Sequence, residues 1–179
     1  PGALQTAQEI SLVQALARLA PRWPHLRLYL VGGRPQEIAA LLGHAQARGV
    51  EERVIFTGAV AREQVPFYLA AADALVIPGT VSGPSASPLK MFEYMAMDRP
   101  IVSVDIPALR EVLDDRSAYF FPPQDSAALA LALEEVLGRP DQARTRAEQA
   151  RRRSATYTYR RRAERLLDIV KHVDNPSKI

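Results

Sequence analysis

The sequence contains no cysteine. That excludes disulfides and any thiolate-rich metal site, and it suits a reducing compartment. No uninterrupted apolar run reaches the roughly 18 residues expected of a membrane-crossing helix. The three histidines, His25, His44 and His172, stand far apart and show none of the short spacings of paired zinc ligands, so no metal site is assigned. The chain has no internal repeat, no low-complexity tract and no interdomain linker. Its first residues lack the basic-then-apolar layout of a signal peptide, so the expected location is cytoplasmic.

Against these absences stand 179 residues of which 47% are hydrophobic, enough for one domain with a substantial core and too apolar for wholesale disorder. The domain is expected over residues 1–173, with 174–179 (DNPSKI) as a frayed tail. The net charge of +3 is unevenly spread: residues 139–165 hold ten arginines against Asp141, Glu148 and Glu164. A solvated basic helix surface is the first reading of that run. Peripheral contact with an anionic membrane ranks second and nucleic acid last.

Two hydrophobic periods alternate along the chain. Near-continuous apolar runs at 26–31, 53–57, 73–77, 100–104 and 118–121 read as strands covered on both faces. Between them, Ile10, Val13, Leu16, Ala17 and Ala20 recur at helical spacing within 7–20. Leu129, Leu133, Val136 and Leu137 do the same in 125–138, with Asp125 as a candidate N-cap. Further helices fit 35–48, 62–72, 88–97, 106–114, 141–153 and 157–173. Strand–helix alternation of this kind predicts an α/β fold, a Rossmann-like parallel sheet with helices on both faces. Ligands of such sheets bind at the carboxyl ends of the strands.

The segment Ser85-Ala-Ser-Pro-Leu-Lys-Met-Phe-Glu-Tyr-Met-Ala-Met97 carries the strongest chemical signal. Ser87 before Pro88 is a helix start, Ser as N-cap and Pro at the first helical position. The amides of Leu89 and Lys90 then lack intrahelical acceptors at the positive end of the helix dipole, a ready site for phosphate. Glu93 is three and four residues further on and shares their face. Its carboxylate, an acceptor only, suits two neighbouring sugar hydroxyls. Phosphate at the helix start and a diol one turn later describe a nucleotide. The plain alternative is a helix that binds nothing, with Glu93 at its surface.

The stretch Ser87–Ala96 resembles a branch of the retaining family 4 glycosyltransferases that reads S-P-L-K-x-F-E-Y-M-A, followed here by Pro100-Ile-Val102. Other segments are similar to the same family: Val31-Gly-Gly33, Val54-Ile-Phe-Thr-Gly-Ala-Val60, Tyr68-Leu-Ala-Ala-Ala-Asp73, Pro107-Ala-Leu-Arg-Glu111 and Tyr157-Thr-Tyr159. The resemblance implies the C-terminal, donor-binding half of a GT-B fold. It implies that Glu93 holds the ribose hydroxyls and that the Leu89 and Lys90 amides hold the diphosphate. Val60 and Ala61 would meet the base through backbone groups, and Gly32 and Gly33 would let the chain pass close to the ligand. No residue of this chain is assigned a catalytic role.

Three departures from the family stand out. The first Glu of its E-x7-E pattern, which contacts the donor sugar, falls at Ser85. The glycine of its A-G-x-P helix end is Asp98, a residue that tolerates the left-handed region better than most. Pro1–Thr6 is similar to the end of the first strand and the following loop, usually G-x-L-x-x-x-K-G. The strand itself is missing, the phosphate-binding Lys aligns at Gln8 and the next glycine at Glu9. In the family strand order 3-2-1-4-5-6 the missing strand is central, which leaves its two neighbours with unpaired backbone. The sequence is therefore expected to be a piece of a longer polypeptide whose N-terminal GT-B domain carries the acceptor site.

The expected reaction moves a hexose-type sugar from a UDP- or GDP-linked donor to an acceptor with retention. It needs no cofactor and no bound metal, and the isolated chain is expected to be inactive. Two other readings stay open. One is a non-catalytic GT-B-like binding or regulatory domain. The other is a basic module that uses Arg151–Arg153 and Arg160–Arg162 on an anionic membrane or nucleic acid.

Overall fold

The computed structural model describes residues 6–79 and 89–173. Five short parallel strands alternate with helices in the order α1 (Thr6–Leu19), β1 (Leu28–Val31), α2 (Pro35–Gln46), β2 (Val54–Gly58), α3 (Val65–Ala71), β3 (Leu75–Ile77), α4 (Leu89–Ala96), β4 (Ile101–Val104), α5 (Pro107–Arg110), β5 (Tyr119–Phe121), α6 (Ser126–Gly138), α7 (Pro140–Ser154) and α8 (Tyr159–Val173). The α/β expectation holds. Every expected strand is present, trimmed by one or two residues at its start. The helix expected over 106–114 is shorter: only Pro107–Arg110 is helical, and the chain continues in turns to Asp114. The expected tail, 174–179, lies outside the described residues.

The strands form two separate parallel sheets, β1–β2 and β3–β4–β5. Among the described residues, β1 and β3 each have one strand neighbour. Among these strands, only β4 is flanked on both sides. All four of its residues, Ile101, Val102, Ser103 and Val104, are buried accordingly.

Helix α1 joins the two halves. It packs against α2 on the side of the first sheet and against α6 on the side of the second. Leu12, Val13, Leu16 and Leu19 supply its buried stripe, close to the helical periodicity of the sequence. They belong to one apolar core that also takes Leu30 and Val54 from the first sheet and Ile77, Ile101, Val102 and Phe121 from the second. Burial of this apolar surface, worth roughly 25 cal/mol per Å², holds the two sheets together; among the described residues they share no hydrogen-bond ladder.

Asp125 is the N-cap of α6, as its sequence position predicts: its carboxylate accepts from the amides of Ala127 (3.0 Å) and Ala128 (2.8 Å). Helix α7 packs against α4 and α6 through Ala143, Ala147 and Ala150, which are buried, while its arginines face outward or sit at the rim. Small residues on the packed face allow close approach of the helices. Among the described residues no helix is long and apolar enough to cross a membrane, and no cluster of His, Cys, Asp and Glu could hold a metal.

Candidate functional site

Within each sheet the carboxyl ends of the strands point the same way, and the chain leaves β1 and β2 through turns built on glycine. Past β1, Gly32 and Gly33 take φ of 109° and 97°, and at the end of β2 Gly58 takes 62°. A side chain at such angles is strained, so glycine is the fitting residue. The two turns touch: Gly32 and Gly58 form a backbone bridge, and the Gly32 amide donates to Thr57 Oγ1 at 3.2 Å. Gly32 and Gly33, singled out from the sequence, are thus brought beside the segment leading to Val60 and Ala61.

That segment is held on its far side as well. The Ala61 amide donates to Gln64 Oε1 at 3.2 Å, and its carbonyl accepts from the Gln64 amide at 2.9 Å. Of the two residues expected to meet a base through the backbone, Ala61 therefore has its N–H engaged within the chain. At the start of α2, Glu37 is buried and accepts from the Arg34 amide (2.8 Å) and from Arg34 Nε (2.7 Å). The Arg34 guanidinium beside the Gly33 turn is ion-paired with that carboxylate.

Beyond β3 the chain passes Pro78 and Gly79. Ser85 and Ser87, and with Ser87 the expected N-cap, lie outside the described residues. Helix α4 is described from Leu89, so Leu89 and Lys90 occupy its first described turn. Met91 and Met95, four residues apart, are fully buried and anchor the helix in the core. Lys90 and Glu93, three apart, are both exposed on the opposite side. The helix therefore presents the side chains of Lys90 and Glu93 away from the core, as the amphipathic spacing demands. Burial pushes the neighbouring Tyr94 phenol up to about 12, with the Glu93 charge adding to the shift.

The helix ends as expected. Asp98 adopts the left-handed region, φ 57°, two residues past Ala96. Its carboxylate accepts from Arg151 of α7 at 3.2 Å. A second tie runs from Phe92 to Tyr157, ring centroids 5.3 Å apart, just before α8.

Gln8 lies beside the exit of β3. It sits in the first turn of α1, and its carboxamide covers Gly79 closely enough that a Cβ there would collide with it. The residue that stands where the family resemblance expects a lysine thus reaches the exit of β3 with a neutral group.

The fold and these turns define a Rossmann-like domain of the kind that binds nucleotides at the carboxyl edge of its strands. Residues 4–139 match the family of glycosyl transferases group 1, and the chain belongs to that family. It is 26% identical over 141 residues to alpha-D-kanosaminyltransferase of Streptomyces kanamyceticus, a match covering 77% of this chain and 35% of the relative. Its structure superposes on sucrose-phosphate synthase of Thermosynechococcus elongatus with a TM-score of 0.78 at 28% identity, covering 94% of this chain and 42% of that one. Anabaena HepE, solved in complex with UDP-glucose, shares the fold at 22% identity with a TM-score of 0.74, over 87% of this chain and 42% of HepE. The chain thus corresponds to the C-terminal half of a GT-B architecture and spans well under half the length of these relatives.

Proposed function

We propose that this chain is the donor-binding domain of a glycosyltransferase. The protein would move a hexose-type sugar from a UDP- or GDP-linked donor to an acceptor with retention, and a second, N-terminal domain would carry the acceptor site. The observation that carries the reading is the arrangement of α4: two early amides, then an exposed glutamate one turn later, at the start of the helix that follows β3. Leu89 and Lys90 would bind the diphosphate through their amides, with Ser87 capping the helix. Glu93 would accept hydrogen bonds from two ribose hydroxyls. Gly32 and Gly33 would admit the ligand close to the backbone, and the Val60–Ala61 turn would face the base. The UDP-glucose complex of HepE, a protein of the same fold, supports a nucleotide-sugar donor.

Leaving-group charge would be met by the helix start and basic groups, with no cation at Gln8, which is neutral. That same observation favours the second reading, a binding or regulatory domain without turnover. Calorimetric titration of the 179-residue chain with UDP and GDP tests the proposal. One of the two is expected to bind, and Glu93→Ala to weaken it by about tenfold, the loss of charged hydrogen bonds worth roughly 1.5 kcal/mol. A folded chain that binds neither overturns the donor-site reading.

A further inference from the structure

The pairing of β1 with β2 slips by one residue at its carboxyl end. Leu28, Tyr29 and Leu30 face Val54, Ile55 and Phe56 in turn, and then Val31 faces Gly58. Thr57 is the extra residue. Such a bulge bends its strand and re-aims a side chain, and it recurs beside active sites. Here the re-aimed side chain is half-buried, and its hydroxyl makes two bonds. It accepts from the Gly32 amide at 3.2 Å and donates to the Gly58 carbonyl at 3.0 Å.

One hydroxyl therefore ties the turn leaving β1 to the turn leaving β2. Both turns are built on glycines at positive φ, the backbone with the widest conformational range. The second turn is fixed again beyond Val60 by Gln64. The Gly58–Ala61 segment is thus clamped at both ends, by Thr57 and by Gln64, and the Thr57 hydroxyl works beside the Gly32–Gly58 backbone bridge in setting its distance from Gly32.

We infer that Thr57 is a positioning residue that sets the gap between the Gly32–Gly33 turn and the Gly58–Ala61 turn, and through it the selection of the nucleobase. This rests on the donor-site reading above, which places the base against these turns. Phosphate binding, assigned to the amides of α4, uses neither turn and is expected to be indifferent to the Thr57 hydroxyl.

The test compares the wild-type chain with Thr57→Val and Thr57→Ser by titration with UDP, GDP and inorganic pyrophosphate. Thr57→Val keeps the shape and removes the hydroxyl. It is expected to weaken the preferred nucleotide by about fivefold, the worth of one hydrogen bond, and to narrow the UDP-to-GDP ratio. Pyrophosphate affinity stays unchanged, and Thr57→Ser restores the wild-type ratio. Should Thr57→Val fail to fold, hydrogen exchange at the Gly32 amide of the wild-type chain replaces it, with slowing by nucleotide but not by pyrophosphate expected. An unchanged ratio in Thr57→Val, an equal loss of pyrophosphate, no rescue by serine, or a Gly32 amide insensitive to nucleotide overturns the inference while leaving the donor site standing. A wild-type chain that binds neither nucleotide removes the donor-site reading, and the inference with it.

Discussion

The carboxamide of Gln8 occupies the space above the Cα of Gly79. The contact joins the first turn of α1 to the exit of β3, across the division between the two sheets. Gly79→Ala would place a methyl group on the carboxamide. Because the colliding atoms are the far end of a flexible side chain, the expected response is a swing of Gln8 rather than unfolding. The cost should be about 1 kcal/mol, the low end for overpacking. In a Gln8→Ala background the same substitution should cost nothing beyond its effect on the unfolded chain. Urea unfolding of the four proteins of this double-mutant cycle measures the coupling, and strictly additive effects would show that the two residues do not compete for space.

Asp98 offers a cleaner backbone test. It holds φ 57° at the end of α4, where the family resemblance expects glycine. The left-handed region costs a side-chain-bearing residue about 1 kcal/mol, somewhat less for Asp. Asp98→Gly removes that strain but gives up the exposed ion pair with Arg151, worth roughly 0.5 kcal/mol. The variant should match or slightly exceed the wild type in denaturant midpoint. Asp98→Val should fall below both by more than about 1 kcal/mol, since a β-branched residue fits this region worst.

The divided sheet predicts a pattern of amide exchange. In a parallel ladder each strand directs alternate backbone groups to each side. Those of β4 are taken on both sides, whereas β1 and β3 bond to a single neighbour among the described residues. Amides in Val102–Val104 should therefore exchange only through global opening, and alternate amides of β1 and β3 should exchange faster by orders of magnitude. Uniform protection across all five strands would contradict the division.

The alternation of strands and helices is legible in the amino-acid sequence, because it switches between two hydrophobic periods. The strands are legible too, since burial on both faces leaves an almost unbroken apolar run. Short-range features are less so. Leu109, Val112 and Leu113 are all buried at helical spacing, yet α5 stops at Arg110. Arg110 forks between Asp105 and Asp115, its guanidinium lies 3.5 Å from the Phe120 ring centre, and the Ser117 hydroxyl accepts from the Asp114 amide. These contacts close a turn that periodicity reads as helix. At the candidate site, Gly32, Gly33, Lys90 and Glu93 can be named from pattern and resemblance. Thr57 cannot: a bulge is a mismatch between two strands, and neither strand shows it alone. The contact of Gln8 with Gly79 joins residues far apart in sequence and is equally invisible there.

The alkaline limit of stability should report on α4 itself. Burial, aided by the Glu93 charge, pushes the Tyr94 phenol to about 12, while in an unfolded chain it titrates near 10. The folded state thus keeps a proton that the unfolded state gives up. The stabilisation tied to that proton is complete below about pH 10 and is lost progressively as pH rises through about 12. Tyr119 is shifted in the same direction, chiefly by burial, with Glu135 adding and Arg146 and Arg139 opposing. Tyr94→Phe should therefore flatten part of the alkaline fall in denaturant midpoint, and Tyr94→Phe with Tyr119→Phe should flatten more of it. Phenolate absorbance of the folded wild type should show a fraction of tyrosine titrating late, reduced in Tyr94→Phe. If Tyr94→Phe leaves both the midpoint profile and the late fraction unchanged, then Tyr94 is not held by the packing of α4 and that helix is looser at the site than its buried methionines indicate.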